Sequence, residues 1–336
     1  MPAHLHGAAG EPPRLAAHLD DLFALSGAAA EHLGVDPAFV EKDFWVTELL
    51  RSLARPLAPD RADHRDVVVV FKGGTSLSKV FRLVERFSED VDILVAAEGM
   101  GRGRRDRVLK NLTGRVTRDL GLGDDDYRVT ESTTGVKRNV RYRYRRRFPS
   151  AAVTDGVLLE MGIRGGAEPV ARHTVRSLVA EHGVDVLGEP AGRWAELAPV
   201  TIAVLGAERT LVEKLALLHQ RAVHLDDHPG ALVGAGRHYY DVCRLLADDD
   251  VRRRLSSYPG STAALADDVD AQSRRAGFPS APRPPGGFAE SPAFTPGAAA
   301  EAAGRAAYEL AVPLIWGTVP TFDQCVSAVH RAADLL

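Results

Sequence analysis

The sequence predicts an α/β (α+β) chain, with strands gathered in the first 200 residues and a mainly helical remainder. Three observations carry this. Residues 67–71 (VVVVF) form a continuous, largely β-branched apolar run, the pattern of a buried strand. Residues 90–95 (DVDILV) alternate at their start and read as the next strand. Beyond residue 200 the apolar positions recur at helical spacing, with Leu211, Leu215 and Leu218 on one stripe.

In chain order, residues 1–13 carry three prolines and read as a disordered lead. Residues 14–33 place Leu15, Leu19, Leu22, Phe23 and Leu25 on a helical face. Asp36 and Pro37 suit the N-cap and first position of a helix running to about Leu53. Gly73 and Gly74 end the first strand, and 76–85 reads as a short helix with Leu77, Val80, Phe81 and Val84 inward. Residues 102–120 read as a basic helix; 127–130, 140–146 and 157–163 read as three further strands. Helices follow at 204–224 and 237–246. Six prolines and three glycines make 279–297 a loop, and helices at 298–310 and 322–336 close the chain. The expected organisation is a domain over 14–200 and a helical domain over 201–336 that contributes to the active site.

With 336 residues and 45% hydrophobic content, the chain can build a sizeable core. Two cysteines, Cys243 and Cys325, cannot make a disulfide framework and fit a reducing cytoplasm. No apolar run is long enough to span a bilayer, and the N-terminus lacks a signal-peptide pattern. The net charge of −3 hides segregation. Residues 137–147 (KRNVRYRYRRR) hold seven basic residues and no acid, and 102–118 hold seven against one. Local charge decides which polyanions dock.

The chemistry concentrates in 71–92, FKGGTSLSKVFRLVERFSEDVD. Gly73 and Gly74 let the backbone approach a phosphate. Thr75 and Ser76 add hydroxyl donors at a helix N-terminus. Asp90 and Asp92, two apart on a strand, point to one side and repel unless a cation lies between them. Together these parts suit a triphosphate held beside Mg²⁺ (or Mn²⁺), for in-line nucleotidyl transfer. Lys79 either reaches phosphate or is a solvated helix face. Glu41, Lys42 and Asp43 either brace the site or form a polar helix face. Phosphorylation of Ser88 would set negative charge beside the carboxylates; otherwise Ser88 completes a turn. His224, Asp226, Asp227 and His228 lack a standard zinc spacing, and polar loop composition explains them.

Alternation over 141–147 puts Arg141, Arg143, Arg145 and Arg147 on one face and Tyr142 and Tyr144 on the other. Such an arginine ridge suits RNA phosphates, or else keeps an edge strand soluble.

Gly-Gly-Thr, a short helix and Asp-x-Asp resemble the polymerase-β-type nucleotidyltransferase superfamily. The fuller string, with FVEKDFWVTELL upstream, resembles the AbiEii/AbiGii-type toxin family, which includes the MenT toxins. The resemblance implies a nucleotidyltransferase-type mixed sheet and helical C-terminal domain. It assigns Lys214 and Asp241 to the site, Lys214 neutralising triphosphate and Asp241 positioning it or acting as base. A third carboxylate is usual in the superfamily; Glu160, lone in an apolar strand, is the candidate, with a water-facing edge acid as the other reading. The implied reaction takes an NTP and Mg²⁺ (or Mn²⁺) and transfers a nucleoside monophosphate, onto a tRNA 3′ end, blocking translation. A cognate antitoxin and a role in phage defence are implied with it. Transfer to a protein, or a non-catalytic RNA-binding module, are the competing readings.

Overall fold

A computed structural model describes residues 12–57, 67–86, 88, 90–97, 99–163 and 165–336. Among the described residues seven strands form one mixed sheet: β1 (Val68–Lys72), β2 (Asp90–Ala96), β3 (Tyr127–Thr133), β4 (Lys137–Tyr142), β5 (Val157–Gly162), β6 (Val170–Val175) and β7 (Val200–Leu205). Their order is β3-β4-β5-β2-β1-β7-β6. The central strands β1 and β2 are antiparallel, and each has a parallel outer neighbour, β7 and β5.

Alternation sorts the two faces. Phe71, Val91, Ile93, Val95, Leu159 and Met161 are buried against helices α1 (Leu19–Leu33), α2 (Pro37–Ala54) and α4 (Arg102–Asp119). The opposite face keeps a small apolar cluster, Val70, Leu94 and Leu205, and leaves room for polar side chains. A second core joins α6 (Ala207–Val223), α7 (Gly236–Ala247), α8 (Asp249–Ser257), α9 (Ser261–Ala276), α10 (Ala299–Ala311) and α11 (Phe322–Arg331). Leu77 and Val84, from either side of the first crossover, pack into that second core. Among the described residues no helix is long and apolar enough to cross a membrane.

Several elements differ from expectation, each for a tertiary reason. The lead predicted for 1–13 lies outside the described residues up to 11, while the Pro13 carbonyl accepts from Ala195 N. The first helix breaks at His18, because Glu196 takes the N–H groups of Leu15 and Ala16 and holds a 3₁₀ turn there. The helix expected at 76–85 is α3, Gly73–Lys79. It stops early because the chain beyond it is pulled straight: the Glu85 N–H bonds the Tyr240 hydroxyl and Arg86 bridges to Ile315. The strand expected at 140–146 is β4, which ends at Tyr142 opposite Val157, where its partner begins. The helix expected from 204 starts at Ala207; Val204 and Leu205 belong to β7, which pairs with β1. The short edge strand β6, with its polar VARHTV, gave no periodic signal. The last helix ends at Arg331, followed by a 3₁₀ turn.

Asp36 caps α2, its carboxylate accepting from Ala38 N at 2.9 Å. Asp36→Ala should therefore cost about 1 kcal/mol in urea unfolding; an unchanged midpoint would show that the cap contributes nothing.

Candidate active site

The sheet register assembles the acidic part of the site. Asn139, Glu160, Asp92 and Lys72 are successive register partners across β4, β5, β2 and β1. They lie on the face opposite the α1, α2 and α4 core. Asp90 lies two residues back on the same face, in the row Arg141, Leu158, Asp90. The candidate carboxylates Asp90, Asp92 and Glu160 are thus neighbours on adjacent strands. Burial, then the charges of Asp92 and Asp90, pushes Glu160 up to about 7. Asn139 Nδ2 donates to it at 3.0 Å. Among the described residues no three such groups already stand as a closed metal-ligating set. The donor set fits a hard divalent cation nonetheless: three carboxylate side chains, mutually repelling, on one rigid surface.

The glycine pair makes this packing possible. Gly73 has φ +79°, and a Cβ there would stand 2.0 Å from Asp92 Oδ2. A Cβ on Gly74 would stand 2.4 Å from an Arg86 guanidinium nitrogen. The two glycines admit a carboxylate on one side and a cation on the other. The hydroxyls after them are turned to structure. Thr75 Oγ1 donates to the Asp90 carbonyl at 2.5 Å and Ser76 Oγ to the Gly73 carbonyl at 2.9 Å. Lys79 is not in the site: its Nζ pairs with Asp43 Oδ1 and the Arg176 carbonyl. Glu41 and Lys42 brace the fold, Glu41 accepting from Arg147 N and Lys42 donating to Thr154. Ser88 borders the site cavity beside Asp90 and Asp92.

The helices supply the cationic part. Asp241 on α7 is fully buried, and Arg86 grips it with two hydrogen bonds, Nε to Oδ1 at 2.6 Å and Nη2 to Oδ2 at 2.7 Å. Lys214 Nζ on α6 stands 2.7 Å from the same Oδ2. Burial alone would raise the Asp241 carboxyl; Lys214 and Arg86 overcome this and hold it well below the ordinary carboxylate range. Asp241 is therefore an anchor for two cations. His238, pushed well down by burial and by Lys214, is neutral and lies 3.1 Å from Lys214 Nζ through Nδ1. Lys72 pairs with Glu213 at 2.9 Å.

One cavity of about 240 Å³ takes in both parts, with Asp90, Asp92 and Glu160 on one side and Arg86, Lys214 and Arg237 on the other. Among the described residues the Arg237 guanidinium makes no ion pair or hydrogen bond. Sequence reasoning missed Arg86, which lies just past the helix read over 76–85, and gave Arg237 no site role. Only the tertiary approach of α7 marks Arg86. Along 141–147, Tyr142 and Tyr144 are buried, and Arg143, Arg145 and Arg147 are exposed. Only Arg141 is in the strand.

Acidic residues beside cations at a glycine turn suit nucleotidyl transfer from an NTP, and the family to which the sequence matches is of that class. A family model described as nucleotidyl transferase AbiEii toxin, type IV toxin–antitoxin system, matches residues 53–328. The chain belongs to that family, which implies an NTP substrate and a cognate antitoxin. Among solved structures, MenT4, a nucleotidyltransferase toxin from Mycobacterium tuberculosis H37Rv, is similar at 19% identity and a TM-score of 0.42, over 92% of this chain and 96% of its own. No curated protein matches the sequence.

Removing Asp241 would leave Arg86 and Lys214 buried without a counter-charge. Asp241→Ala should cost about 3–5 kcal/mol in chemical denaturation. Wild-type stability in this variant would show that the cluster is not the buried anchor described. Gly73→Ala should abolish transfer, because its methyl group displaces Asp92; full activity would contradict that contact.

Proposed function

We propose that this protein transfers a nucleoside monophosphate from an NTP to the 3′ end of a tRNA, with Mg²⁺ or Mn²⁺, and so blocks aminoacylation. The observation that carries the reading is the single cavity joining three carboxylates to Arg86, Lys214 and Arg237. Asp90, Asp92 and Glu160 would hold the divalent ion, which supplies charge neutralisation at the reacting phosphate. Lys214, oriented by Asp241 and His238, sets positive charge where the β- and γ-phosphates would lie. Arg237 offers a further guanidinium to the departing pyrophosphate. The attacking ribose hydroxyl loses its proton to solvent, its oxygen forms the new bond to the α-phosphorus, the bond from that phosphorus to the bridging oxygen breaks, and pyrophosphate leaves.

RNA as acceptor is supported by placement. Arg141 lies in the sheet row of Asp90, and the exposed Arg143, Arg145 and Arg147 continue from it along the chain. A polyanion entering along these residues would end at the carboxylates. A toxin of this kind in a phage-defence system would act in the cytoplasm, where its tRNA substrate lies.

Incubation with labelled NTPs, Mg²⁺ and total RNA should label tRNA, and Asp90→Ala or Asp92→Ala should abolish this. Label on protein alone would move the acceptor to a polypeptide; RNA binding without any label would favour a non-catalytic module. Replacing Arg143, Arg145 and Arg147 by Gln should weaken tRNA binding and reduce its salt dependence by up to about three counterions. An unchanged salt slope would remove the ridge from the interface. Ser88→Asp should lose activity that Ser88→Ala keeps, since added charge there repels phosphate; equal activity would end the case for regulation at Ser88.

A further inference from the structure

The carboxylate cavity does not end at Lys214. Two larger lobes share lining residues with it, one of about 380 Å³ and one of about 320 Å³. Lys72 borders all three spaces. The smaller of these lobes shares Asp92 and Glu160 with the carboxylate cavity, and the larger shares Glu213 and Leu217. One ring stands in both lobes: Phe278, 55% exposed.

That exposure is built, not incidental. Helix α9 ends in a Schellman motif: Gly277 has φ +72°, its N–H bonds the Arg274 carbonyl, and the Phe278 N–H bonds the Ser273 carbonyl. An apolar residue at the Phe278 position usually packs back on the last helical turn. Here the residue it would meet is Ser273, which offers no apolar surface. The backbone is fixed while the ring is left to the cleft. The same helix end carries a second unused group. Asp270 borders the larger lobe, is 12% exposed, and gives Oδ2 to Arg274. Its Oδ1 is buried without a hydrogen-bond partner among the described residues. A buried carboxylate oxygen left so is costly unless a donor arrives.

We propose that the larger lobe is the nucleobase pocket of the donor nucleotide, with Phe278 as its stacking face and Asp270 Oδ1 accepting from an amino group on the base. This rests on the reading that the substrate is an NTP. Its size falls within the ~300–1,000 Å³ of small-molecule sites. Ala216, Leu217 and Val269 give it an apolar floor, as a flat base requires. Cytosine, adenine and guanine each present an exocyclic amino donor. Uracil presents one N–H between two carbonyl oxygens, which a carboxylate oxygen repels. The pocket thus selects against UTP. The triphosphate would extend past Glu213 and Lys72 to Lys214 and Arg237.

Equilibrium binding of the four NTPs and of inorganic triphosphate to the full chain tests this. Wild type should bind ATP, CTP or GTP at least tenfold more tightly than triphosphate or UTP. Phe278→Ala should lose about tenfold for that NTP and nothing for triphosphate, with Phe278→Tyr restoring it. Asp270→Asn should narrow the discrimination against UTP. Wild type binding NTPs no better than triphosphate would overturn the proposal. So would Phe278→Ala with unchanged NTP affinity, with an equal loss for triphosphate, or with a loss confined to RNA, which would make the ring an acceptor platform. Base-dependent binding without transfer to any RNA would leave the pocket standing and remove the tRNA reading.

Discussion

The site depends on one buried carboxylate. Asp241 ties together three parts of the chain that also share the second apolar core: α7, which carries it; α6, through Lys214; and the extended segment after α3, through Arg86. Burying three charged groups has a large desolvation cost, and removing one partner strands the others. The arrangement fixes the helical part of the molecule against the sheet at a defined point. It also leaves an excess of positive charge. One carboxylate faces two cations, and Arg237 adds a third beside them. An anion is the natural complement, and triphosphate matches it.

The acidic half is organised by a simpler rule. Strand alternation and register put Asp92 beside Glu160 with Asp90 two residues away, and the rigid sheet keeps them there. The two halves meet at Gly73-Gly74, where Asp92 and Arg86 both occupy space that side chains would fill. The glycine pair thus acts as the hinge point of charge geometry. The pair is expected to let the backbone approach phosphate, while the hydroxyls of Thr75 and Ser76 that follow it bond the Asp90 and Gly73 carbonyls.

Much of this was legible in the sequence because it is local. The Asp36-Pro37 helix start, the strands of 67–71 and 90–95, and the inward tyrosines at 142 and 144 follow from caps and alternation. Asp90, Asp92 and Glu160 were visible as charges in apolar strands. Lys214 and Asp241 could be weighed only through resemblance, since their helical spacing also fits a surface pattern. What could not be read was set by distant partners. Lys79 has the spacing of a phosphate ligand but meets Asp43, 36 residues earlier. The break at His18 follows from Glu196, and the early end of α3 from Tyr240 and Ile315. Arg86, the residue on which the cationic half turns, carries no local signature. The strand β7 was concealed because its apolar residues run directly into those of α6.

The near-neutral net charge, which at first argues against a polyanionic partner, is a sum over two opposed sets. The most direct test of the account is anomalous diffraction from crystals grown with Mn²⁺ and a non-hydrolysable NTP. The account predicts an ion held by Asp90, Asp92 and Glu160, with the triphosphate against Lys214 and Arg237 in the same cavity. Triphosphate bound away from Lys214, or an ion that none of the three carboxylates contacts, would contradict it.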